Sequence, residues 1–290
     1  MRFELAGTLF LPDPVVLTYI ANATFLKQPY LDLGYTRFDV LVIGGGAGSG
    51  GWYDTGNTGA ALKIYGGGGG GGGLHRVQGI LDALPASCPV VVGNGGVKGN
   101  DHATNIALVT RGGNGGASTF NTNTAQASGG IGGYMPIVAS STGDPQGWGG
   151  EGGLGGRTAA GGGGAQGTTG ANANVTTPPT GNDGGDGSYG GGIGEGGGGG
   201  AGGEAKYGAP NLLLTASAGG RGSWSSTDYA FYAPAGAIGP DAAVGNANII
   251  PGGGGGAKAS PLNNVPTVYG NGSGRGPGSP GVVIIRLYAE

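Results

Sequence analysis

Apolar positions form short runs near the two ends of the chain and between its glycine tracts. The run Arg37–Ile43 places Phe38, Val40 and Val42 on one face, as in a β-strand. Residues 281–288 are rich in β-branched side chains, which indicates a covered strand. Weaker strand patterns occupy residues 2–11, 89–93 and 105–110. Strands spread this widely along the chain predict a small β-sandwich.

Signals for α-helix are scarce. The strongest is Asp13-Pro14, placed just before the apolar residues 15–26. Asp13 would cap a short helix over residues 15–26, and Pro14 would occupy its first position. Elsewhere the sequence predicts very little α-helix.

The glycines follow a period of three. Residues 112–117, 129–134 and 149–157 repeat Gly-Gly-X two or three times. This period fits neither an α-helix nor a β-strand, but it fits a polyproline-II-type helix, which has three residues per turn. Such a helix has no internal hydrogen bonds, so its N–H and C=O groups point outward.

Two glycines in three leave two bare backbone faces on each such helix, and neighbouring helices can bond across them. The X residues then form one row, with Ile131 or Leu154 towards the core and Asn114 or Glu151 towards water. The sequence therefore predicts an all-β protein. Its small β-sandwich core would carry packed glycine-rich polyproline/polyglycine-II-type helices and long loops.

Composition narrows the functional classes. Glycine supplies 78 of 290 residues, charged residues are 10%, and the formal net charge is −3. A nucleic-acid binder needs a basic excess, so nucleic acid is not an expected partner. The single cysteine, Cys88, excludes an internal disulfide and is predicted to be a small buried side chain. We see no secretory signal and no apolar run long enough for a membrane helix.

One glycine segment resembles a dinucleotide-binding loop. After the strand Arg37–Ile43, the glycines Gly46, Gly48 and Gly51 satisfy G-x-G-x-x-G. A cofactor loop also needs a following helix whose N-terminus faces the pyrophosphate, and here turn-like residues 51–59 follow instead. We therefore interpret the G-x-G-x-x-G pattern as a chance match in a glycine-rich chain and predict no bound cofactor.

Catalytic and metal-binding patterns are weak. The chain has two histidines, His75 and His102, and neither has a second ligand at a useful spacing. No serine lies in a nucleophile elbow, and no carboxylate pair stands out among the 16 acidic residues. We therefore expect a protein that is not an enzyme, with no catalytic residue and no metal site.

Several motifs together resemble a known family. The strand ending in Val-Leu-Val-Ile-Gly44-Gly-Gly is followed by Pro89-Val-Val-Val-Gly93-Asn-Gly-Gly, and the chain closes with Gly281-Val-Val-Ile-Ile-Arg-Leu-Tyr288. These features are similar to the glycine-rich minor tail proteins of tailed bacteriophages. The glycine tracts also resemble the tail-tip adhesins that have polyglycine-II sandwich domains.

The resemblance implies a virion protein at the phage tail tip or tail fibre. It implies other tail proteins as partners, a homo-oligomer that is most often a trimer, and contact with a bacterial receptor through loops at the tips of the glycine helices. Residues 1–37 match no pattern and are predicted to be a docking segment, followed by a glycine-rich domain over residues 38–290. Two alternatives stay open: a glycine-rich structural protein of the bacterial cell surface, and a cofactor-binding enzyme.

Aromatic residues suggest where contact with a host would occur. Trp224, Tyr229, Phe231 and Tyr232 fall within nine residues, in the long glycine-poor segment 223–251. Aromatic faces stack on sugars or anchor interfaces, and this segment carries few charges, which favours a neutral glycan. The rival interpretation is that these four side chains pack against the core or a neighbouring subunit.

Overall fold

The computed structural model describes residues 11–51, 69–102, 105–122, 124–135 and 277–290, and the backbone of short strands outside these ranges. The sandwich strands are β3 (Val15–Tyr19), β4 (Ala23–Leu26), β5 (Arg37–Ile43), β8 (Leu74–Ile80), β9 (Ser87–Val91), β10 (Ser118–Phe120), β11 (Ala125–Ala127) and β17 (Val282–Tyr288). The other strands are β1 (Phe3–Leu5), β2 (Thr8–Phe10), β6 (Trp52–Asp54), β7 (Leu62–Tyr65), β12 (Ile137–Ala139), β13 (Gln146–Trp148), β14 (Tyr189–Gly190), β15 (Ile193–Gly194) and β16 (Glu204–Lys206).

Two four-stranded antiparallel sheets form the sandwich. One has the order β8-β5-β17-β3, and the short strands β15 and β14 extend it beyond β8. The other has the order β11-β10-β9-β4. Separate pairings join β1 to β2, β12 to β13, and β7 to both β6 and β16. The predicted all-β sandwich is confirmed.

The sandwich core lies between the two sheets. Phe38, Val40 and Val42 face inward from β5, as the alternating pattern predicts, and meet Phe25 and Phe120 of the other sheet. The opposite face of β5 is buried as well, which explains its nearly continuous apolar sequence.

The predicted helix over residues 15–26 is wrong, because this segment forms β3 and β4. Val15, Leu17 and Tyr19 alternate inward against the core, so a period of two accounts for these apolar residues. Asp13 does not cap a helix, and its carbonyl oxygen instead accepts a hydrogen bond from Tyr35 Oη at 2.8 Å.

In the described part of the chain the α-helical residues are those of α1, Gln28–Asp32, with short 3₁₀ turns at Leu81–Ala83 and Ile106–Leu108. Gly34 ends α1 with a φ of 89°, a conformation that suits glycine at a helix C-terminus. The strand predicted over residues 105–110 is wrong, since the 3₁₀ turn lies there. Asn105 Oδ1 accepts the N–H of Ala107 at 3.0 Å and so favours the turn. No helix among the described residues is long and apolar enough to span a membrane.

Six sandwich strands continue directly into glycine-rich segments, which we call glycine helices 1–6 in chain order. They cover residues 44–51, 69–73, 93–100, 111–117, 128–135 and 277–281. Helices 1, 3 and 5 follow β5, β9 and β11, whereas helices 2, 4 and 6 precede β8, β10 and β17. All six therefore extend from the same end of the sandwich, and we call them together the glycine bundle.

Backbone hydrogen bonds in the bundle recur every third residue. Gly45 and Gly48 of helix 1 donate to Gly116 and Gly113 of helix 4, with N–O distances of 2.9 Å for both bonds. Helices 1 and 2 are joined in the same way by Gly44 to Gly73 and Ala47 to Gly70. No described glycine of the bundle has a positive φ. The period and the backbone conformation confirm the predicted polyglycine-II-type helices.

Close packing explains why the bare faces must be glycine. A Cβ atom built on Gly48 would lie 1.9 Å from the carbonyl oxygen of Val97, and one on Gly115 would lie 2.0 Å from that of Gly45. The exposed non-glycine residues of a helix are instead spaced three apart. In helix 4 the exposed row is Arg111, Asn114 and Ala117, as predicted for Asn114.

Candidate functional site

The end of the glycine bundle away from the sandwich, which we call the far end, is built from loops. Residues 101–110 join helix 3 to helix 4 there, and helix 5 ends at Tyr134 and Met135. Helix 1 continues at the same end into β6, and β7 leads back towards helix 2. The sandwich and its helices therefore present several connections at one distal surface, the usual location of binding residues on a rigid scaffold.

Internal polar contacts join the described residues of the connection between helices 3 and 4. Asn100 donates its N–H to Thr110 Oγ1 at 2.7 Å, which closes the loop at its base. Lys98 forms an ion pair with Asp101, and His102 Nδ1 accepts the N–H of Asn105 at 3.0 Å. Because these groups are already paired with one another, they make a folded loop edge and do not converge on a common point.

At the far end, Arg111 of helix 4 and Tyr134 of helix 5 form a cation–π pair. The Arg111 guanidinium carbon lies 3.9 Å from the centroid of the Tyr134 ring, and Arg111 Nε donates to the Gly132 carbonyl at 3.0 Å. Arg111 is exposed, Tyr134 is half-buried, and Met135 beside it is 47% exposed. This arrangement offers a stacking surface with a positive charge, a combination suited to contact with a planar or sugar-like group.

The four predicted contact residues lie elsewhere in the chain. Trp224, Tyr229, Phe231 and Tyr232 fall outside the described residues, so the interpretation of the segment 223–251 stays a prediction. Sequence reasoning passed over Arg111 and Tyr134. The signal was present, because Arg111 lies three residues before Asn114 and Tyr134 three residues after Ile131, each in the row of non-glycine positions.

A family model for a glycine-rich domain matches the chain, in agreement with its repeated glycine pattern. The chain belongs to the glycine-rich domain family. The match covers residues 28–288, which include the glycine bundle and six of the eight sandwich strands. A comparison with curated proteins finds no match.

In this glycine-rich domain, the segment that resembles a dinucleotide loop is the central helix of the bundle. The N–H groups of Gly46, Gly48 and Gly51 donate to the carbonyls of Ser279, Gly113 and Thr110, at 2.9, 2.9 and 3.0 Å. These amides are occupied by neighbouring helices, so they are not available to a phosphate. The residues that follow form β6, whereas the nucleotide motif needs an α-helix at that place.

The two histidines occupy separate places in the domain. His75 lies in β8, where its Nδ1 accepts the N–H of Gln126 at 3.0 Å, whereas His102 lies in the far-end loop. Within the described ranges, no group of three or more His, Cys, Asp or Glu side chains is arranged to hold a metal ion.

The most buried ionic group of the described residues lies on the outer face of the first sheet. Asp39 is 1% exposed and accepts hydrogen bonds from Arg76 Nη2 at 2.6 Å and from Gln78 Nε2 at 2.8 Å. Its charge is thus matched by a guanidinium and an amide on the neighbouring strand. Buried charges require such pairing, and the contacts account for Asp39 as part of the sheet.

Proposed function

We propose that this protein is a structural virion protein of a bacteriophage tail tip or tail fibre, which attaches to the host surface through loops. One observation carries the proposal: six strands of a sandwich continue into six glycine helices, whose connections lie together at the far end. The resemblance to phage minor tail proteins and tail-tip adhesins supports the same conclusion.

The way the bundle is held together suits this role. Its helices are joined by backbone bonds, such as Gly112 to the Gly133 carbonyl and Gly115 to the Gly130 carbonyl, both 2.9 Å. The support therefore depends little on which side chains the loops carry. A receptor-binding protein needs a rigid scaffold under loops whose sequence can change, and this arrangement supplies one.

The expected ligand is a neutral glycan or glycolipid of the host envelope. Trp224, Tyr229, Phe231 and Tyr232 supply apolar ring faces on which a sugar ring can stack, and their segment has few charges. A single such site binds weakly. Several copies on one tip raise the overall affinity by avidity, in agreement with the proposed homotrimer.

Location in the particle is the first test. Antibodies raised against the purified chain should label the tail tips of intact phage particles in electron microscopy. Light scattering of the purified chain should give the mass of a trimer. Label on the bacterial envelope and none on particles would favour the cell-surface alternative and overturn the proposal.

Adsorption tests the predicted contact residues. Replacing both Trp224 and Tyr229 with alanine should leave the melting temperature unchanged while the purified protein loses its ability to compete with phage for host cells. Thr227→Ala, in the same segment, is the matched control and should compete normally. Competition that survives the double substitution would refute this binding site, and loss of folding would assign the two aromatic side chains to packing.

A further inference from the structure

The side chain of Arg111 is held in place by two contacts with helix 5. Its Nε donates a hydrogen bond of 3.0 Å to the Gly132 carbonyl, and its guanidinium carbon lies 3.9 Å from the centroid of the Tyr134 ring. The first contact uses one N–H group of the guanidinium, and the second covers one of its faces. An arginine held in this way loses less conformational freedom on binding a ligand than a freely moving side chain does.

The two helices that carry these side chains are themselves fastened together. Asn114 Oδ1 accepts the N–H of Gly132 at 2.9 Å, so side chains of helix 4 bind both the N–H and the carbonyl of this glycine. A backbone bond of 2.9 Å from Gly112 to the Gly133 carbonyl joins the same two helices. The position of Arg111 is therefore set by the glycine bundle, which is the rigid part of the far end.

The edge of Arg111 formed by Nη1 and Nη2 is open. No described residue accepts a hydrogen bond from either nitrogen, and no described carboxylate forms an ion pair with Arg111. Asp101, in the loop before helix 4, is already paired with Lys98. Arg111 is exposed, so the described part of the far end presents a cation whose charge its own residues do not compensate.

Apolar surface adjoins this cation. Tyr134 is half-buried beneath Arg111, and Met135, the next residue, is 47% exposed. The C–H face of a sugar ring packs on such side chains, whereas a small inorganic anion gains nothing from them. A ligand that joins an anionic group to a sugar ring would therefore use both the charge and the apolar surface.

We propose that Arg111, stacked on Tyr134, is a subsite for an acidic glycan, which places two oxygens of a carboxylate or phosphodiester group on Nη1 and Nη2. The planar guanidinium presents parallel N–H groups that match two oxygens of either group, so the contact is bidentate. This subsite is separate in sequence from the aromatic segment 223–251, for which a neutral sugar is expected. The host envelope as the source of the glycan rests on the proposed function, but the chemistry of the subsite does not.

The competing explanation is that Arg111 only fastens helix 4 to helix 5. That role uses the Nε bond and the contact with the Tyr134 ring, and it gives the Nη1 and Nη2 edge no ligand. Ligand binding and thermal stability separate the two explanations when both are measured on the same variants.

A titration of the full chain with matched sugars tests the subsite. The probes are an oligosaccharide of glucuronic acid, the same oligosaccharide with its carboxyl groups reduced to alcohols, and a glucose oligomer joined by phosphodiester bonds. In an isotopically labelled sample, the Nε–H signal of Arg111 should shift with an anionic probe and stay in place with the reduced one. The anionic probe that binds more tightly identifies the source of the oxygens. An equal shift with the reduced oligosaccharide, or no shift with either anionic probe, would overturn the proposal.

Substitution shows whether the guanidinium edge carries the binding. Arg111→Gln removes the charge, and Arg111→Lys keeps a charge without the planar fork, so each should weaken binding of the preferred anionic probe about tenfold or more. Arg37→Gln makes the same change in net charge where β5 begins, at the opposite end of the sandwich, and should leave the affinity unchanged. Full affinity in either Arg111 variant, or an equal loss in Arg37→Gln, would overturn the subsite.

Further measurements distinguish failure of this proposal from other failures. The melting temperature is recorded for each variant, and the titration of the unchanged protein decides the matter if a variant does not fold. Absence of antibody label from phage particles would refute the role in the virion and leave a positive titration intact. A negative titration would overturn the subsite and leave the particle label unaffected.

Discussion

Six of the eight sandwich strands continue into the glycine bundle, but the two regions are held together by different means. In the sandwich, side chains such as Phe25, Phe38 and Phe120 fill the space between two sheets, with ring centroids 6.0–6.4 Å apart. In the bundle, a Cβ on Gly44 or Gly72 would already lie within 2.1 Å of a backbone oxygen. One region excludes water with side chains, and the other with backbone alone.

This difference reverses the expected effect of a substitution. The sandwich loses stability when a side chain is removed, because a cavity remains. The bundle loses stability when a side chain is added, because two backbones are forced apart and their hydrogen bonds are lost. The boundary between the two rules lies where β5 becomes helix 1, between Ile43 and Gly44.

The largest effect is expected in the central helix. Gly48→Val would place a side chain against the Val97 carbonyl and break the bonds of Gly48 with Gly113 and Gly133. Overpacking costs about 1–3 kcal/mol, and each buried group left unpaired costs about 1–3 kcal/mol. The sum approaches the whole stability of a domain, about 5–15 kcal/mol. Denaturant unfolding should show a severely destabilised or unfolded protein.

A matched control uses the residue that faces Gly48. Val97 is 70% exposed, so Val97→Ile adds one methylene group at the bundle surface. Its unfolding midpoint should remain within experimental error of the unchanged protein. A Gly48→Val variant as stable as Val97→Ile would contradict the close packing of the bundle.

The opposite change should destabilise the sandwich. Phe120 is fully buried between Phe25 and Phe38, so Phe120→Ala removes a ring from the centre of the core. The expected loss is about 3–5 kcal/mol in the free energy of unfolding, with smaller losses if the site collapses. Thr119→Ala, on the half-buried neighbouring position of β10, is the control. Similar losses for the two variants would argue against a core centred on Phe120.

Much of this architecture could be predicted from local patterns. The alternation in Arg37–Ile43 and the β-branched run near the C-terminus identify two adjacent strands, and the Gly-Gly-X period identifies the geometry of the bundle. Both patterns reflect packing that acts on every second or every third residue. Cys88 was likewise predicted to be buried and lies in the core.

Other features depend on partners distant in sequence. The apolar residues 15–26 suggested a helix because Asp13-Pro14 is a good start signal, but β17 and β9 offered strand pairings that outweighed it. The stacking of Arg111 on Tyr134 arises because helix 4 lies beside helix 5, and neither residue reveals that neighbour. Sequence spacing alone shows which row of its own helix a residue occupies, but it does not show which neighbouring helix that row faces.

The last prediction has the smallest effect on stability and compares how accessible a thiol is in the sandwich and in the glycine bundle. Burial raises the pKa of the Cys88 thiol, while the nearby Lys27 charge acts in the opposite direction. Cys88 is fully buried in the sandwich, so it should react with a thiol reagent only as fast as the protein unfolds. A cysteine placed at Ala117, in the exposed row of helix 4, should react at the rate of a small-molecule thiol. Because the pKa of Cys88 is higher in the folded than in the unfolded state, the protonated Cys88 thiol also favours folding below the usual thiol pKa of about 8.5. That contribution is lost as the pH rises through the folded-state value. In the Ala117→Cys variant, two reactive thiols in the native state would contradict the closed sandwich, and none would contradict the exposed row.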